Sequence, residues 1–226
     1  MSQKEKPSIS SSGHFASSPC YAAEFADESD AQQQQDLANW RKAERKWQLA
    51  ARKALSPEQR DALAIAVAKN LDTLLREHFP TLQGKSIGGY WPIQSELNLV
   101  FWFCDLHERG VRIALPITAQ QDAPLIFRAW TPETIMDKDC WNIPIPPEVN
   151  EQLQPDILLA PCVAWDENRF RLGYGGGYFD RTLAALSPKP FVIGVGLESA
   201  KVSTIFPQRY DIAMDAVVTE TGVHSL

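Results

Sequence analysis

The sequence predicts an α/β fold: a three-layer α/β/α arrangement with a mostly parallel sheet, in a single domain. From residue 86 onward, short apolar runs typical of strands alternate with segments of helical periodicity. Such alternation favours parallel strands that are covered by helices on both faces. With 226 residues, of which 44% are hydrophobic and 22% charged, the chain has the composition of a globular protein and the length to bury a sizeable core.

Residues 1–36 are predicted to form a disordered tail, and residues 37–226 the folded domain. The first 36 residues are rich in Ser, Gln and Ala, contain few large apolar side chains and end in AQQQQD. A segment of this composition cannot bury enough apolar surface to offset the entropy that it loses on ordering.

Two helices are predicted at the start of the domain. In the first, apolar residues recur at the spacing of an amphipathic helix: Leu37, Trp40, Ala43, Trp47, Ala50 and Ala54. Its other face carries basic side chains that are ordinarily just solvated: Arg41, Lys42, Arg45, Lys46, Arg52 and Lys53. The second helix begins at SPEQ (56–59), with Ser56 as N-cap and Gln59 reaching back. It continues to about His78, and Pro80 ends it.

The remaining elements follow in alternation. The predicted strands are SIGGYWP (86–92), VRIALP (111–116), PLIFRAW (124–130), DILLAP (156–161), VAW (163–165), FVIGVGL (191–197) and DAVVTE (215–220). Helices are predicted at 97–110 and 178–186, and the Pro-rich segment 140–149 is predicted to be a loop.

Composition and charge argue against several classes of protein. No apolar run approaches the roughly 18 residues that a membrane span requires, and no apolar segment follows Lys4 and Lys6 as it would in a signal peptide. The four cysteines include no C-x-x-C pair, which favours reduced thiols over disulfides or a zinc site. The net charge of −6 argues against a nucleic-acid-binding surface. We expect a cytoplasmic monomer that binds neither nucleic acid nor membrane.

The stretch RLGYGGGYFDR (171–181) is the most informative one in the chain. Four glycines fall within five positions, between a predicted buried strand and a predicted helix. A main chain freed of Cβ atoms, next to a helix N-terminus, favours the close approach of an anionic group. Arg171 and Arg181 could supply positive charge, and a purely structural loop is the alternative.

Two familiar phosphate-binding motifs do not fit this stretch. The dinucleotide fingerprint G-x-G-x-x-G, started at Gly173, requires glycine where Tyr178 stands. The P-loop pattern G-x-x-x-x-G-K-[ST] fails at the same residue, and no Lys-Ser or Lys-Thr follows. The histidines form no H-E-x-x-H pair and no G-x-S-x-G is present, so zinc or serine hydrolase chemistry has little support.

Together with LLAPCVAWDENRF before it, RLGYGGGYFDR closely resembles the signature of the 5-formyltetrahydrofolate cyclo-ligase family. The resemblance extends over roughly residues 38–220 and includes ARKALSPEQR (51–60), YWPIQSELNL (90–99) and WNIPIP (141–146). It implies a three-layer α/β/α enzyme that uses ATP and Mg²⁺ to close 5-formyltetrahydrofolate to 5,10-methenyltetrahydrofolate, with release of ADP and phosphate. We expect the folate substrate to carry a polyglutamate tail.

The resemblance also implies which residues bind ATP. The nucleotide loop of the family falls on Arg171, Leu172, Gly173, Tyr174, Gly175, Gly176, Gly177, Tyr178 and Phe179. A basic pair on the first helix of the family falls on Arg41 and Arg45. Many members have Lys at the position of Gly176, so one positive charge is missing here, and Arg replaces Lys in the helical pair.

Metal, substrate and catalytic residues are implied in the same way. The two acids that coordinate magnesium match Asp180 and Asp211, and the folate-contacting positions match Tyr90, Trp91, Glu96 and Trp141. Arg171 and Glu96 are the implied catalytic residues, the first neutralising phosphate and the second steadying the formyl group.

Each of these residues has a simpler alternative. Asp180 could cap a short helix, Asp211 could be an ordinary loop acid, Glu96 could favour the start of its helix, and Tyr90, Trp91 and Trp141 could be core aromatics. Two functional alternatives also stay open: a folate- or nucleotide-binding relative without turnover, and an ATP-dependent enzyme with another substrate.

Overall fold

The computed structural model describes residues 31–225. These residues fall into two units, one ending at Trp40 and one beginning at Arg41. The described part of the first unit, residues 31–40, is helical, and side-chain hydrogen bonds join Gln32 to Asp36 and Gln35 to Asn39. Residues 31–36, which the sequence places in the tail, therefore belong to a helix, whereas residues 1–30 of the predicted tail lie outside the described residues.

Four α-helices are present in the described residues: α1 Ala31–Ala54, α2 Pro57–His78, α3 Val100–Glu108 and α4 Tyr178–Ala185. The predicted N-cap of α2 is confirmed, since the main-chain N–H of Gln59 donates to Ser56 Oγ and the Gln59 side chain accepts from Ser56 N. None of these helices combines the length and apolar character that a bilayer crossing needs.

The central sheet has eight strands in the order β13-β12-β10-β7-β1-β2-β3-β6. Their bounds are β1 Ser86–Gly88, β2 Arg112–Ile117, β3 Ile126–Trp130, β6 Gln152–Leu153, β7 Ile157–Pro161, β10 Phe191–Val195, β12 Ala216–Thr219 and β13 Gly222–Ser225. The five central strands, from β12 to β2, are parallel to one another.

The middle of this sheet is covered on both faces. In β7 the residues from Ile157 to Ala160 have no exposed surface, and successive side chains of a strand point to opposite faces. Both faces of β7 therefore pack against other elements, which is the layered arrangement that the apolar runs predict. The α/β class, the mostly parallel sheet and the single domain are confirmed.

The edges of the sheet differ from the prediction of parallel strands. β3 and β6 at one edge and β13 at the other are antiparallel to their neighbours. The chain between β2 and β3 has only the residues 118–125, which is too short for a crossover that returns in parallel. The short strands β6 and β13 carry no run long enough to be recognised as strands in the sequence.

Two smaller sheets were not predicted. β4 Asp137–Lys138 pairs with β5 Pro144–Ile145 inside the region predicted to be a loop. β8 Ala164–Asp166 pairs with β9 Arg171–Leu172 and with β11 Lys201–Val202. The segment VAW therefore belongs to a three-stranded sheet of its own, and not to the central sheet.

Candidate active site at the glycine loop

The strand order creates a crevice between β1 and β7. β1 continues to β2 on one side of the sheet, whereas β7 continues to β10 on the other side. In open α/β sheets, ligands bind beyond the carboxyl ends of the two strands at which the order reverses. A cavity of about 190 Å³ lies at this place.

The walls of the cavity come from the ends of three strands and from α1. It is lined by Gln48, Ala51, Arg52 and Leu55 of α1, by Tyr90, Glu96 and Leu97 after β1, by Pro161, Cys162 and Val163 at the end of β7, and by Val195, Gly196, Leu197, Ser199 and Ala200 after β10. Most of the lining is apolar, so the few polar groups would fix the orientation of a ligand.

The glycine loop occupies residues 173–177, between β9 and α4. Gly175 has φ +103° and Gly177, the N-cap of α4, has φ +65°, conformations that favour glycine. A Cβ on Gly175 would lie 3.6 Å from the guanidinium carbon of Arg45, and one on Gly177 would lie 2.8 Å from Arg181 Nη1. The loop is thus closely flanked by two arginines, and it follows the small sheet and not a strand of the central sheet.

One face of α1 contributes arginines to the site. Arg45 donates to the main-chain carbonyl oxygen of Gly173 at 2.7 Å. Arg41 forms two hydrogen bonds with the carboxylate of Asp211. Burial and the nearby charge of Arg41 lower the pKa of Arg45, and the carboxylate of Asp211 opposes this effect. Positive charge is therefore concentrated where the helix meets the glycine loop.

The packing of α1 differs from the two faces that its periodicity predicts. Trp47 is 61% exposed, and Ala43 and Ala50 are exposed as well. Of the residues predicted to be solvated, Arg52 is buried, with 8% exposed, and Arg41 and Arg45 are partly buried, whereas the three lysines are exposed as predicted. Gln48, on the same side as the arginines, is 5% exposed. The reason is that the glycine loop and Asp211 offer hydrogen-bond acceptors: Arg41 donates to Asp211, Arg45 to the carbonyl oxygen of Gly173, and Arg52 to the hydroxyl of Tyr174. These bonds offset part of the cost of burying the three arginines.

Asp180 lies close to Asp211, because it accepts a hydrogen bond from Ile212, the residue that directly follows Asp211. The main-chain N–H of Ile212 donates to Asp180 Oδ1 at 3.3 Å, and that of Gln208 donates to Asp211 Oδ2 at 2.7 Å. Arg171 Nη2 lies 3.1 Å from Asp180 Oδ2, although not in hydrogen-bond geometry. The structure thus brings together both acids that the resemblance assigns to magnesium, each next to an arginine.

The two acids fit a magnesium ion that is also bound by phosphate. Within residues 31–225, no group of three or more His, Cys, Asp or Glu could hold a metal ion by itself. Mg²⁺ usually takes one or two carboxylates and completes its shell with water and substrate phosphates. Asp180 and Asp211 could supply the carboxylates, and the arginines beside them favour the phosphates.

Several arginines around the loop have buried N–H groups without an acceptor among the described residues. These are Nε of Arg41, Arg52, Arg171 and Arg181, and Nη2 of Arg171. A buried donor that has lost its water and gained no acceptor costs free energy. An anionic ligand toward which these side chains could turn would remove that cost.

Arg181 holds the outer side of the glycine loop. Its Nη2 donates to the carbonyl oxygen of Gly176, its guanidinium carbon lies 5.0 Å from the ring centroid of Tyr178, and Asp122 is 3.6 Å away. A guanidinium therefore stands beside the one loop position, Gly176, at which the resemblance leaves a positive charge missing.

Glu96 is the buried carboxylate of the cavity, with 7% of its surface exposed. Its Oε2 accepts from the N–H of Ile93 at 2.9 Å, and its Oε1 accepts from the hydroxyl of Tyr174 at 2.8 Å. Burial raises the pKa of Glu96, and these two hydrogen bonds together with the charge of Arg52 limit the rise. Each oxygen retains a lone pair for a ligand donor.

The predicted aromatic contacts are divided between core and surface. Tyr90 is 4% exposed and donates to the carbonyl oxygen of Leu97, so its ring is a cavity wall. Trp91 is partly buried against the core, and Trp141 is 53% exposed, 6.2 Å from the ring of Tyr178. Neither tryptophan lines the cavity.

Two of the residues that the resemblance assigns to ATP binding, one on each side of the glycine loop, have side chains that pack against other residues of the protein. Leu172 has no exposed surface and packs with Ala164 and Ile205, so only its main chain could contribute to binding. Phe179 is partly buried against the core, and the guanidinium of Arg171 lies 5.1 Å from its ring centroid. Arg171 itself is 6% exposed.

Sequence reasoning missed Gln48, Arg52 and Cys162 as site residues. A signal for the first two exists, because Arg41, Arg45, Gln48 and Arg52 recur at the three- and four-residue spacing of one helix face. No signal marks Cys162, whose thiol has its pKa raised to about 12 by burial and is therefore an unreactive part of the cavity wall.

Comparisons with known proteins agree on one family. A model of the 5-formyltetrahydrofolate cyclo-ligase family matches residues 37–220. A 5-formyltetrahydrofolate cyclo-ligase of Mycolicibacterium smegmatis is 30% identical over 146 residues, covering 61% of this chain and 75% of that protein. One from Escherichia coli K12 is 28% identical over 178 residues, covering 76% and 96%. The NMR structure of Aquifex aeolicus 5,10-methenyltetrahydrofolate synthetase superposes with a TM-score of 0.69 at 26% identity, covering 82% of this chain and 92% of that one.

Proposed function

Because the chain belongs to the 5-formyltetrahydrofolate cyclo-ligase family, a family of enzymes, we propose that it converts 5-formyltetrahydrofolate to 5,10-methenyltetrahydrofolate. The reaction would consume Mg²⁺-bound ATP and release ADP and phosphate. Two relatives named 5-formyltetrahydrofolate cyclo-ligase are 30% and 28% identical to the chain, and its fold resembles that of a protein named 5,10-methenyltetrahydrofolate synthetase.

One observation carries the assignment of a phosphate-rich co-substrate: guanidiniums surround the main chain of the glycine loop. Arg45 and Arg181 bind loop carbonyl oxygens, and Arg41 and Arg171 stand beside the two acids. Transfer of a phosphoryl group requires positioning and charge neutralisation more than covalent chemistry. The loop and these arginines are suited to both tasks.

Asp180 and Asp211 would hold the magnesium ion. When bound, the ion neutralises charge on the phosphate oxygens. The arginines partnering these acids keep both carboxylates in place near Ile212, and they can shift their donors to phosphate oxygens when nucleotide is present.

The cavity would hold the pterin ring system of the folate. Its volume of about 190 Å³ is below the roughly 300–1,000 Å³ of typical ligand pockets, so the aminobenzoyl-glutamate part would lie outside. A pterin presents neighbouring N–H donors at its pyrimidine edge, and the buried carboxylate of Glu96 can accept from them. The exposed Trp141, beside Tyr178, could contact the outer part of the folate.

The proposed reaction has to overcome the fact that the formyl oxygen of the folate is a poor leaving group. Expelling the formyl oxygen as hydroxide is costly, so the terminal phosphoryl group of ATP is transferred to that oxygen, and ADP leaves. The anilino nitrogen of the same folate then attacks the formyl carbon and gives up its proton to solvent, and the carbon–oxygen bond breaks with release of phosphate. Since the second step is intramolecular, the protein mainly has to hold the folate in the closing conformation.

The proposal also covers the form of the folate substrate, the oligomeric state and the cellular location. We expect polyglutamylated folate to be accepted, because the outer part of the substrate would lie beyond the cavity. A monomeric state and a cytoplasmic location complete the proposal. Light scattering on the purified protein would test the first, and a dimeric mass would contradict it.

An absorbance assay tests the function directly. Purified protein with 5-formyltetrahydrofolate, ATP and Mg²⁺ should produce the absorbance of the methenyl product, and omission of ATP or of Mg²⁺ should abolish its formation. Binding of the folate without product under complete conditions would instead indicate a non-catalytic relative. Product from other substrates only would indicate a different ATP-dependent enzyme.

A further inference from the structure

The hydroxyl of Tyr174 joins three separate elements of the site. It donates to Glu96 Oε1 at 2.8 Å and accepts a hydrogen bond from Arg52 Nη2 of α1. Tyr174 belongs to the glycine loop, and Glu96 follows β1. The hydroxyl oxygen of Tyr174 therefore connects the candidate nucleotide loop, the carboxylate of Glu96 that would bind folate, and the helix α1.

Tyr174 also lies between two residues that fix the path of the loop main chain. Gly173, directly before it, accepts a hydrogen bond from Arg45, and Gly175, directly after it, has the left-handed conformation with φ +103°. Because its two neighbours define the path of the loop, a change in that path on phosphate binding would move the tyrosine hydroxyl as well.

α1 fixes the spacing between the two ends of this connection. Arg45, on the loop main chain, and Arg52, on the tyrosine hydroxyl, are seven residues apart, which in an α-helix is about two turns or roughly 10 Å on the same face. The guanidinium carbon of Arg52 also lies 5.7 Å from the centroid of the Tyr174 ring. One rigid helix thus aligns the loop with the side chain that reaches Glu96.

We propose that Tyr174 is a positioning residue through which occupancy of the glycine loop by nucleotide sets the orientation of Glu96, so that nucleotide and folate bind with positive coupling. This inference rests on the proposed function. By linkage, each ligand must strengthen the binding of the other by the same factor, and the hydroxyl of Tyr174 carries that coupling.

The test compares the folate affinity of the intact protein with and without nucleotide. Titration calorimetry would measure the Kd of 5-formyltetrahydrofolate alone and in the presence of Mg²⁺ and a non-hydrolysable ATP analogue. The wild type should bind folate at least about fivefold more tightly with the analogue, the lower end of typical coupling factors. Tyr174→Phe keeps the ring against Arg52 but removes the hydroxyl, so the ratio measured at a saturating concentration of the analogue should fall to near one.

Tyr210→Phe is the matched control, since Tyr210 is 69% exposed. Removal of its hydroxyl should leave the ratio of the two folate affinities unchanged. If Tyr174→Phe weakens folate binding equally with and without the analogue, the residue is merely structural and the proposal is overturned. Equal folate affinities in the wild type overturn it too, while leaving the proposed function standing. A wild type that binds nucleotide but not folate contradicts the proposed function and this inference together.

Discussion

Arg41 donates to both carboxylate oxygens of Asp211, at 2.9 and 3.2 Å. The two residues are 170 positions apart in the chain, and their side chains are only 13% and 14% exposed. This ion pair brings the basic face of α1 to the segment that carries a candidate magnesium ligand. In the proposed enzyme, nucleotide and metal would meet at this junction.

Asp180→Asn should weaken the response to magnesium while preserving the shape of the side chain. Since the substitution removes a carboxylate ligand, the Mg²⁺ concentration for half-maximal rate should rise by at least the roughly 10–100-fold that loss of an outer-shell partner costs. Rates measured across a Mg²⁺ titration give this value. Asp105→Asn, which alters an exposed aspartate paired with Arg109, is the control, and an unchanged titration of Asp180→Asn would remove Asp180 from the metal site.

Gly177→Val should prevent nucleotide binding. A side chain there meets Arg181 Nη1, which is 2.8 Å from the Cβ position, and fills the space that the loop main chain leaves for phosphate. Calorimetry with ATP and Mg²⁺ should show no measurable binding. Gly84→Val has comparable backbone strain, with φ +78° and no atom within 4 Å of the Cβ position, and should bind normally; ATP affinity equal in both variants would refute close approach to the loop.

Arg181→Ala should weaken ATP binding without changing the fold. A hydrogen bond to a charged group contributes about 1.5–3 kcal/mol, so the Kd for ATP should rise by about one to two orders of magnitude. Arg112→Ala provides the comparison, since Arg112 is an exposed arginine at the start of β2 and forms an ion pair with Glu151. If both variants bind ATP as the wild type does, Arg181 supports the loop but does not neutralise phosphate.

Glu96 should govern the acidic limb of the pH–rate profile. Burial raises its pKa, and the ionised form is the one that accepts hydrogen bonds from folate, so kcat/KM should decline on acidification at a pH above the usual pKa of a glutamate, about 4.3. The groups facing this carboxylate are Arg52, Tyr174, Tyr90 and Cys162. Glu96→Gln should lower kcat/KM by about two orders of magnitude or more and lose this limb. A limb that persists in Glu96→Gln would have to come from another group.

The sequence was sufficient for the parts of the fold that depend on local pattern. The capping pair of Ser56 and Gln59 marked the start of α2, and the apolar run at 156–161 marked the central strand β7. Asp180 and Asp211 came from a resemblance to a family signature, and the structure places them together near Ile212. Their roles in binding metal stay predictions.

What the sequence could not give depends on partners that are distant along the chain. Periodicity alone predicts that Trp47 faces the domain and that Arg52 is solvated. Arg52 is instead buried, because the hydroxyl of Tyr174 accepts its hydrogen bond and the carboxylate of Glu96 lies near its charge. The antiparallel edge strand β13 and the small sheet around Trp165 likewise arise from pairing between short segments, for which a local pattern carries no signal.

Isotope transfer from the formyl group tests the central claim, which is that the phosphoryl group of ATP is passed to the formyl oxygen of the folate. The substrate would be 5-formyltetrahydrofolate labelled with ¹⁸O in the formyl group, in unlabelled water with ATP and Mg²⁺. The account predicts that each released phosphate carries one ¹⁸O atom, as measured by mass spectrometry. Formation of the methenyl product with unlabelled phosphate would contradict it.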